Sequence, residues 1–294
     1  MCDLDTLKDA TAYISERNKT ALSRRKFGAL SAGVGMAMLL PPVANAQAVT
    51  ETDVEITTPD GVADCYFVHP ATGATAAVIV WPDILGLRTA FRAMGKRLAE
   101  SGYAVLVVNP FYRSAKSPVV GEGASFQDEA TRSKVMPMAQ ALNADTHFTD
   151  AKAFVAWLDT QAAVDTSRKI GTTGYCMGGP MVMRTAAAVP ERIGAGGTFH
   201  GGGLATDAEN SPHLLIPTMT ASFLIAIAAN DDETDPKAKD TLRETFAANN
   251  RPAEIEVYEG TLHGWCPPDS QVYNEAQAER AWSRLLALFE TALA

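Results

Sequence analysis

Short uninterrupted apolar runs alternate along this chain with longer stretches of helical spacing, and that alternation leaves few ways to fold it. The runs are Ala76 to Trp81, Tyr103 to Asn109, Ile170 to Gly174, Gly194 to His200, Phe223 to Ala229 and Ile255 to Tyr258. Successive side chains of a strand point to opposite faces, so a strand that is apolar throughout is covered on both. The helical stretches are Thr89 to Ser101, Asp145 to Gln161, Met177 to Val189, Asp235 to Asn249 and Asn274 to Leu293. Such a βαβα order predicts the α/β class, with a mostly parallel central sheet carrying helices on both faces. Ala281, Leu285, Leu288 and Phe289 recur at helical spacing, which reads the last stretch as a closing helix docked on that sheet.

An antiparallel hairpin is expected before the first parallel strand, because Val54 to Thr57 and Ala63 to Val68 flank the turn residues Pro59-Asp60-Gly61. The stretch from Phe111 to Leu142 lacks clear periodicity and holds Pro118 and Pro137, so it reads as a long excursion over one end of the sheet. A hydrophobic fraction of 47% supplies a full core. A net charge of -9 argues against a nucleic-acid partner, which needs clustered Lys and Arg, and favours a small-molecule substrate.

The N-terminus reads as a separate unit. Ser23-Arg24-Arg25-Lys26-Phe27 precedes a modestly apolar run from Gly28 to Leu40, and Ala44-Asn45-Ala46 follows. A charged region, a short apolar run and small residues at a cleavage point, in that order, resemble a twin-arginine export signal. The apolar run is too short for a stable membrane anchor. The expected division is a signal at residues 1–46 and one enzyme-sized domain at 47–294, with export machinery as a transient partner and the periplasm as destination.

The chemistry converges on Gly174-Tyr175-Cys176-Met177-Gly178-Gly179, which links a strand to a helix. This is the pattern of a nucleophile elbow, with Cys where many hydrolases carry Ser, and its glycines give the turn clearance. A helix starting just after Cys176 aims unpaired N–H groups and a positive dipole end at the sulfur, favouring thiolate. Asp231 follows the Phe223 run and His263 follows the Ile255 run, giving the order nucleophile, acid, histidine. Asp232 competes with Asp231, and the sequence pattern itself does not separate adjacent carboxylates.

Together these motifs resemble the dienelactone hydrolase family from about Val54 to the C-terminus. The resemblance implies an α/β-hydrolase fold and cleavage of a small ester or lactone through a thioester on Cys176, with Asp231 as the acid, because the family's small-x-x-Asp pattern falls on Ala228-Ala229-Asn230-Asp231. It also implies an oxyanion hole from the Ile84 and Met177 amides, in Trp81-Pro82-Asp83-Ile84-Leu85 and at the elbow. Asp83 stands where the family carries a Glu near the cysteine, one methylene longer. Arg113 matches an arginine that holds a substrate carboxylate, whereas the family's second arginine has no counterpart in Trp265-Cys266-Pro267-Pro268. No cofactor is required, and none of the remaining histidines has metal-ligand spacing. His200, beside Gly201-Gly202-Gly203, reads as a satisfied loop histidine. The rival reading is a non-catalytic envelope small-molecule-binding protein on the same fold. Without residues 1–46 the chain keeps Cys65, Cys176 and Cys266, an odd count, so at least one is unpaired in a monomer. Cys266, three residues after His263, is expected either within reach of Cys176 or packed against the cleft wall.

Overall fold

The computed structural model describes residues 8–16 and 40–294. The arginine pair of the export motif, and its apolar run up to residue 39, lie outside the described residues. Ala44, Asn45 and Ala46 are exposed in a turn, with Asn45 at a φ of 58°.

Eight strands form one sheet in the order β1-β2-β4-β3-β5-β6-β7-β8. The expected hairpin is β1 (Val49–Thr58) and β2 (Gly61–Pro70), paired antiparallel, and β2 lies antiparallel on β4 (Ala104–Val108). All other neighbours are parallel: β3 (Ala77–Trp81) on β4 and β5 (Ile170–Tyr175), then β6 (Ile193–Phe199), β7 (Ser222–Ala228) and β8 (Ala253–Tyr258).

The helices are α1 (residues 8–16), α2 (Thr89–Glu100), α3 (Glu129–Gln140), α4 (Ala144–Leu158), α5 (Gly178–Ala188), α6 (Ala229–Thr234), α7 (Ala238–Ala248) and α8 (Glu275–Ala292). Strand β3 shows why both faces need helices. Its Val78 and Val80 join a core with Phe91 and Leu98 of α2 and Leu285 and Phe289 of α8. Its Ile79 and Trp81 point the other way, into a core with Phe154 of α4, Met181 and Val182 of α5 and Phe246 of α7. Fully burying each such side chain contributes roughly 1.5–3 kcal/mol, which fixes the register because a one-residue slip would exchange the two faces.

The excursion over residues 111–142 contains α3, which the sequence reading leaves without an element. Only Val135 of that helix is buried, and Pro137 sits inside it, so its sequence carries almost no amphipathic signal. Together with Ile84, Phe111, Val119 and Val120, Val135 forms a small separate core beside the end of β3. Among the described residues no helix is long and apolar enough to cross a membrane.

Candidate active site

Parallel strands deliver their C-terminal ends to one edge of the sheet, and the residues that follow those ends meet in a cleft there. Cys176 and His200 come directly after β5 and β6, Asp83 and Ile84 after β3, Asp231 on the short helix after β7, and His263 after β8. The cleft holds roughly 770 Å³, its open mouth included, and is lined by Asp83, Ile84, Arg88, Cys176, His200 and His263 among others. That is room for a small molecule.

Cys176 has a φ of 52°, in the left-handed region that non-glycine residues rarely occupy, and is 4% exposed. The turn is held by its own N–H donating to the Phe199 carbonyl at 3.0 Å, and by the Gly179 N–H donating to the Cys176 carbonyl at 3.0 Å. The flanking glycines are obligatory. A Cβ on Gly174 would lie 2.3 Å from the Gly178 carbonyl oxygen, and one on Gly178 would lie 2.4 Å from that of Trp81. Strain at Cys176 is therefore sustained by backbone packing on both sides, as at other functional turns.

His263 Nδ1 lies 2.9 Å from each oxygen of Asp231. Asp232 instead accepts from Lys239 Nζ at 2.5 and 2.7 Å. The geometry thus separates the two adjacent carboxylates. Cys176 lies near enough to His263 for its charge and a hydrogen bond to act on the imidazole. Burial alone would lower the His263 pKa; the Asp231 carboxylate, then the Cys176 charge and hydrogen bonds to both, override it and raise the value to about 10. A third contact was not legible from the sequence: the buried Asn230 accepts the His263 backbone N–H through Oδ1 at 2.8 Å. Its amide donates to Asp9 of α1 at 3.1 Å, and Ala10 of the same helix lines the cleft.

Asp83 does not stand alone. Its two oxygens accept from Arg88 Nη1 at 2.7 Å and Nη2 at 3.0 Å, and Oδ1 also accepts the Leu85 N–H at 2.9 Å. The same guanidinium donates to Asp269 through Nε at 2.5 Å and Nη2 at 2.9 Å. Burial raises the Asp83 pKa, with Arg88 opposing. Arg88 was missed because its second partner is 181 residues away. In this turn the Gly86 N–H donates to the Asp83 carbonyl at 2.9 Å, so two of its amides are taken. Among the described residues nothing accepts from the amides of Ile84 and Met177.

Two expectations are corrected. Arg113 is not brought to this cleft: its fork holds Asp150 at 2.7 and 2.9 Å and Asp60 at 2.6 and 3.0 Å, tying the β1–β2 turn to α4. A sequence does not tell which carboxylates the fold will bring to a guanidinium. His200 is not a satisfied loop histidine either; it is fully buried, lines the cleft, and neither ring nitrogen has a partner at hydrogen-bond distance. The three described cysteines are buried and form no disulfide with one another, and Cys266 faces a different cavity, beside Tyr175, Phe199 and Trp282.

The dienelactone hydrolase family profile matches residues 63–293. A relative from Methylorubrum extorquens, provisionally named a carboxymethylenebutenolidase, is 28% identical over 279 residues, covering 91% of this chain and 92% of its own. The carboxymethylenebutenolidase of Rhodococcus opacus is 25% identical over 226 residues, covering 74% of this chain and 82% of its own. Among solved structures, a dienelactone-hydrolase-like promiscuous phosphotriesterase from metagenomic libraries superposes with a TM-score of 0.69 at 21% identity, over 84% of this chain and 100% of that one. At that identity the likeness speaks for the fold, which is the α/β-hydrolase fold the elbow implied. Since the family profile spans the sheet from β2 to the end of α8, and with it Asp83, Cys176, Asp231 and His263, this chain belongs to the dienelactone hydrolase family.

Proposed function

We propose that the protein hydrolyses small esters or lactones with Cys176 as nucleophile, His263 as proton carrier and Asp231 as the group that orients it. The observation that carries this reading is the hydrogen-bonded line Cys176, His263, Asp231, with the sulfur on a strained turn at the floor of the cleft. A thiolate at Cys176 and an imidazolium at His263 stabilise each other across their hydrogen bond. The thiolate attacks the carbonyl carbon, and the electron pair displaced onto oxygen is received by the Ile84 and Met177 amides. Collapse breaks the C–O bond, and His263 gives its proton to the leaving oxygen. Water then adds to the thioester with His263 taking its proton, and as the acid departs the C–S pair returns to sulfur, which restores the thiolate and imidazolium. In a lactone the leaving oxygen stays tethered to the acyl chain.

The cleft also argues about substrate charge. Arg88 is the one Lys or Arg among its described lining residues, and Asp83 and Asp269 already share it. A carboxylate-bearing substrate would have to displace one of them, so the preferred substrate is neutral. The experiment pairs neutral aryl esters with carboxylate-bearing analogues. Cys176→Ala should abolish turnover, iodoacetamide should label Cys176 as activity disappears, and the neutral ester should have the higher kcat/KM. Full turnover by Cys176→Ala would overturn the mechanism; preference for the anionic analogue would overturn the charge argument alone. The twin-arginine-type segment and the exposed Ala44-Asn45-Ala46 turn support export to the periplasm as part of the same reading.

A further inference from the structure

His200 occupies an expensive position. Its φ is 41°, its backbone N–H is tied to the Ala226 carbonyl at 2.8 Å, and its side chain is fully buried among Tyr175, Trp265 and His263, with ring centroids at 6.2, 6.2 and 5.1 Å. Apart from its own backbone, neither ring nitrogen has a hydrogen-bond partner among the described residues. A phenylalanine would fill an aromatic niche of this kind without burying two polar atoms. Burial, and then the charge on His263, hold the ring neutral, well below its ordinary pKa. A neutral imidazole carries one N–H donor and one lone pair. His200 is among the residues of the same cleft as Cys176, at its buried back, and its ring packs edge to face against His263, the residue read above as delivering a proton to the departing oxygen.

We propose that His200 is a second imidazole of the active site that hydrogen-bonds the leaving-group oxygen of the substrate. The inference rests on the hydrolase reading and adds a specificity residue to it. As the C–O bond breaks, its electron pair moves to the leaving oxygen, which takes the His263 proton while the His200 N–H donates a hydrogen bond to it. Such a bond matters most for poor leaving groups, whose oxygen carries more charge in the transition state. The site is thereby suited to alkyl and enol oxygens, which unlike nitrophenolate do not depart readily unaided.

The test compares wild type, His200→Phe and His200→Asn on esters of one acyl group whose alcohols range from nitrophenol through phenol to an alkyl alcohol. For His200→Phe the loss in kcat/KM should grow along the series from about twofold to about tenfold, the worth of one neutral hydrogen bond. His200→Asn, which keeps a donor, should recover part of it. Alkylation of Cys176 by iodoacetamide should proceed at the wild-type rate in both variants, showing the Cys176 and His263 pair undisturbed. A loss that is equal across the series, or absent, overturns the proposal, as does slowed alkylation, which would make His200 a support for His263. If the wild type hydrolyses none of these esters, the hydrolase reading itself fails, a result distinct from the others.

Discussion

His263 gathers the electrostatics of the site into one titration. Its pKa of about 10 reflects burial overcome by Asp231 and the Cys176 charge, and the imidazolium is the form that can protonate a leaving group. Activity is thus expected to fall on the alkaline side as that proton is lost, with the cysteine and histidine titrating as a pair. Removing the Asp231 charge lowers the His263 pKa, so in Asp231→Asn the alkaline limb should move to lower pH. The same change should cost roughly 10³-fold or more in kcat, because Asn can hold the wrong tautomer. Asp232→Asn should leave the limb in place, since Asp232 is engaged by Lys239. The kcat/KM profile against pH decides this; a limb that shifts with Asp232 instead reverses the assignment.

At the scale of elements, most of the sheet and the elbow were legible, and the reasons are local. Strands β3 to β7 announce themselves as runs without a charged residue, whereas β8 at the sheet edge alternates with Glu254 and Glu256, and Gly174 and Gly178 mark a turn that no side chain can enter. A Cβ at Gly178 would press on the Trp81 carbonyl and wedge α5 away from β3. Gly178→Ala is expected to lose about 1–3 kcal/mol of stability by overpacking, and a larger share of activity, because Cys176 and Ile84 ride on the two elements being separated. Thermal melts beside kcat/KM would check it; unchanged activity would show that the turn adapts. What stayed illegible depends on long-range partners. Helix α3 has one buried residue to advertise it, Arg88 meets Asp269 only in the fold, and Arg113 is claimed by Asp60 and Asp150. Between Asp231 and Asp232 local chemistry did not choose; the family pattern Ala228-Ala229-Asn230-Asp231 pointed to Asp231, the carboxylate that lies beside His263 Nδ1.

For the whole molecule, the feature with the widest reach is α1, which lies upstream of the arginine pair yet touches the catalytic apparatus. Asp9 accepts from Asn230, the same side chain that holds the His263 backbone, and Ala10 forms part of the cleft wall. A chain that carries this helix has a narrower cleft than one without it. A leader read by export machinery and cut after Ala46 would therefore act as a timer as well as an address: the cut that ends transit also widens the cleft. The 47–294 chain is expected to show a higher kcat/KM than the full chain on bulky esters, with little difference on the smallest. Replacing Arg24 and Arg25 with Lys should leave the uncut form inside the cell, at the lower activity. Equal kinetics for the two lengths would reduce α1 to a bystander, and unaltered export of the Lys variant would remove the address. Were both to hold, an enzyme with a reactive thiolate would cross the cytoplasm already folded but narrowed against bulky substrates, and its full range would begin at the moment of delivery.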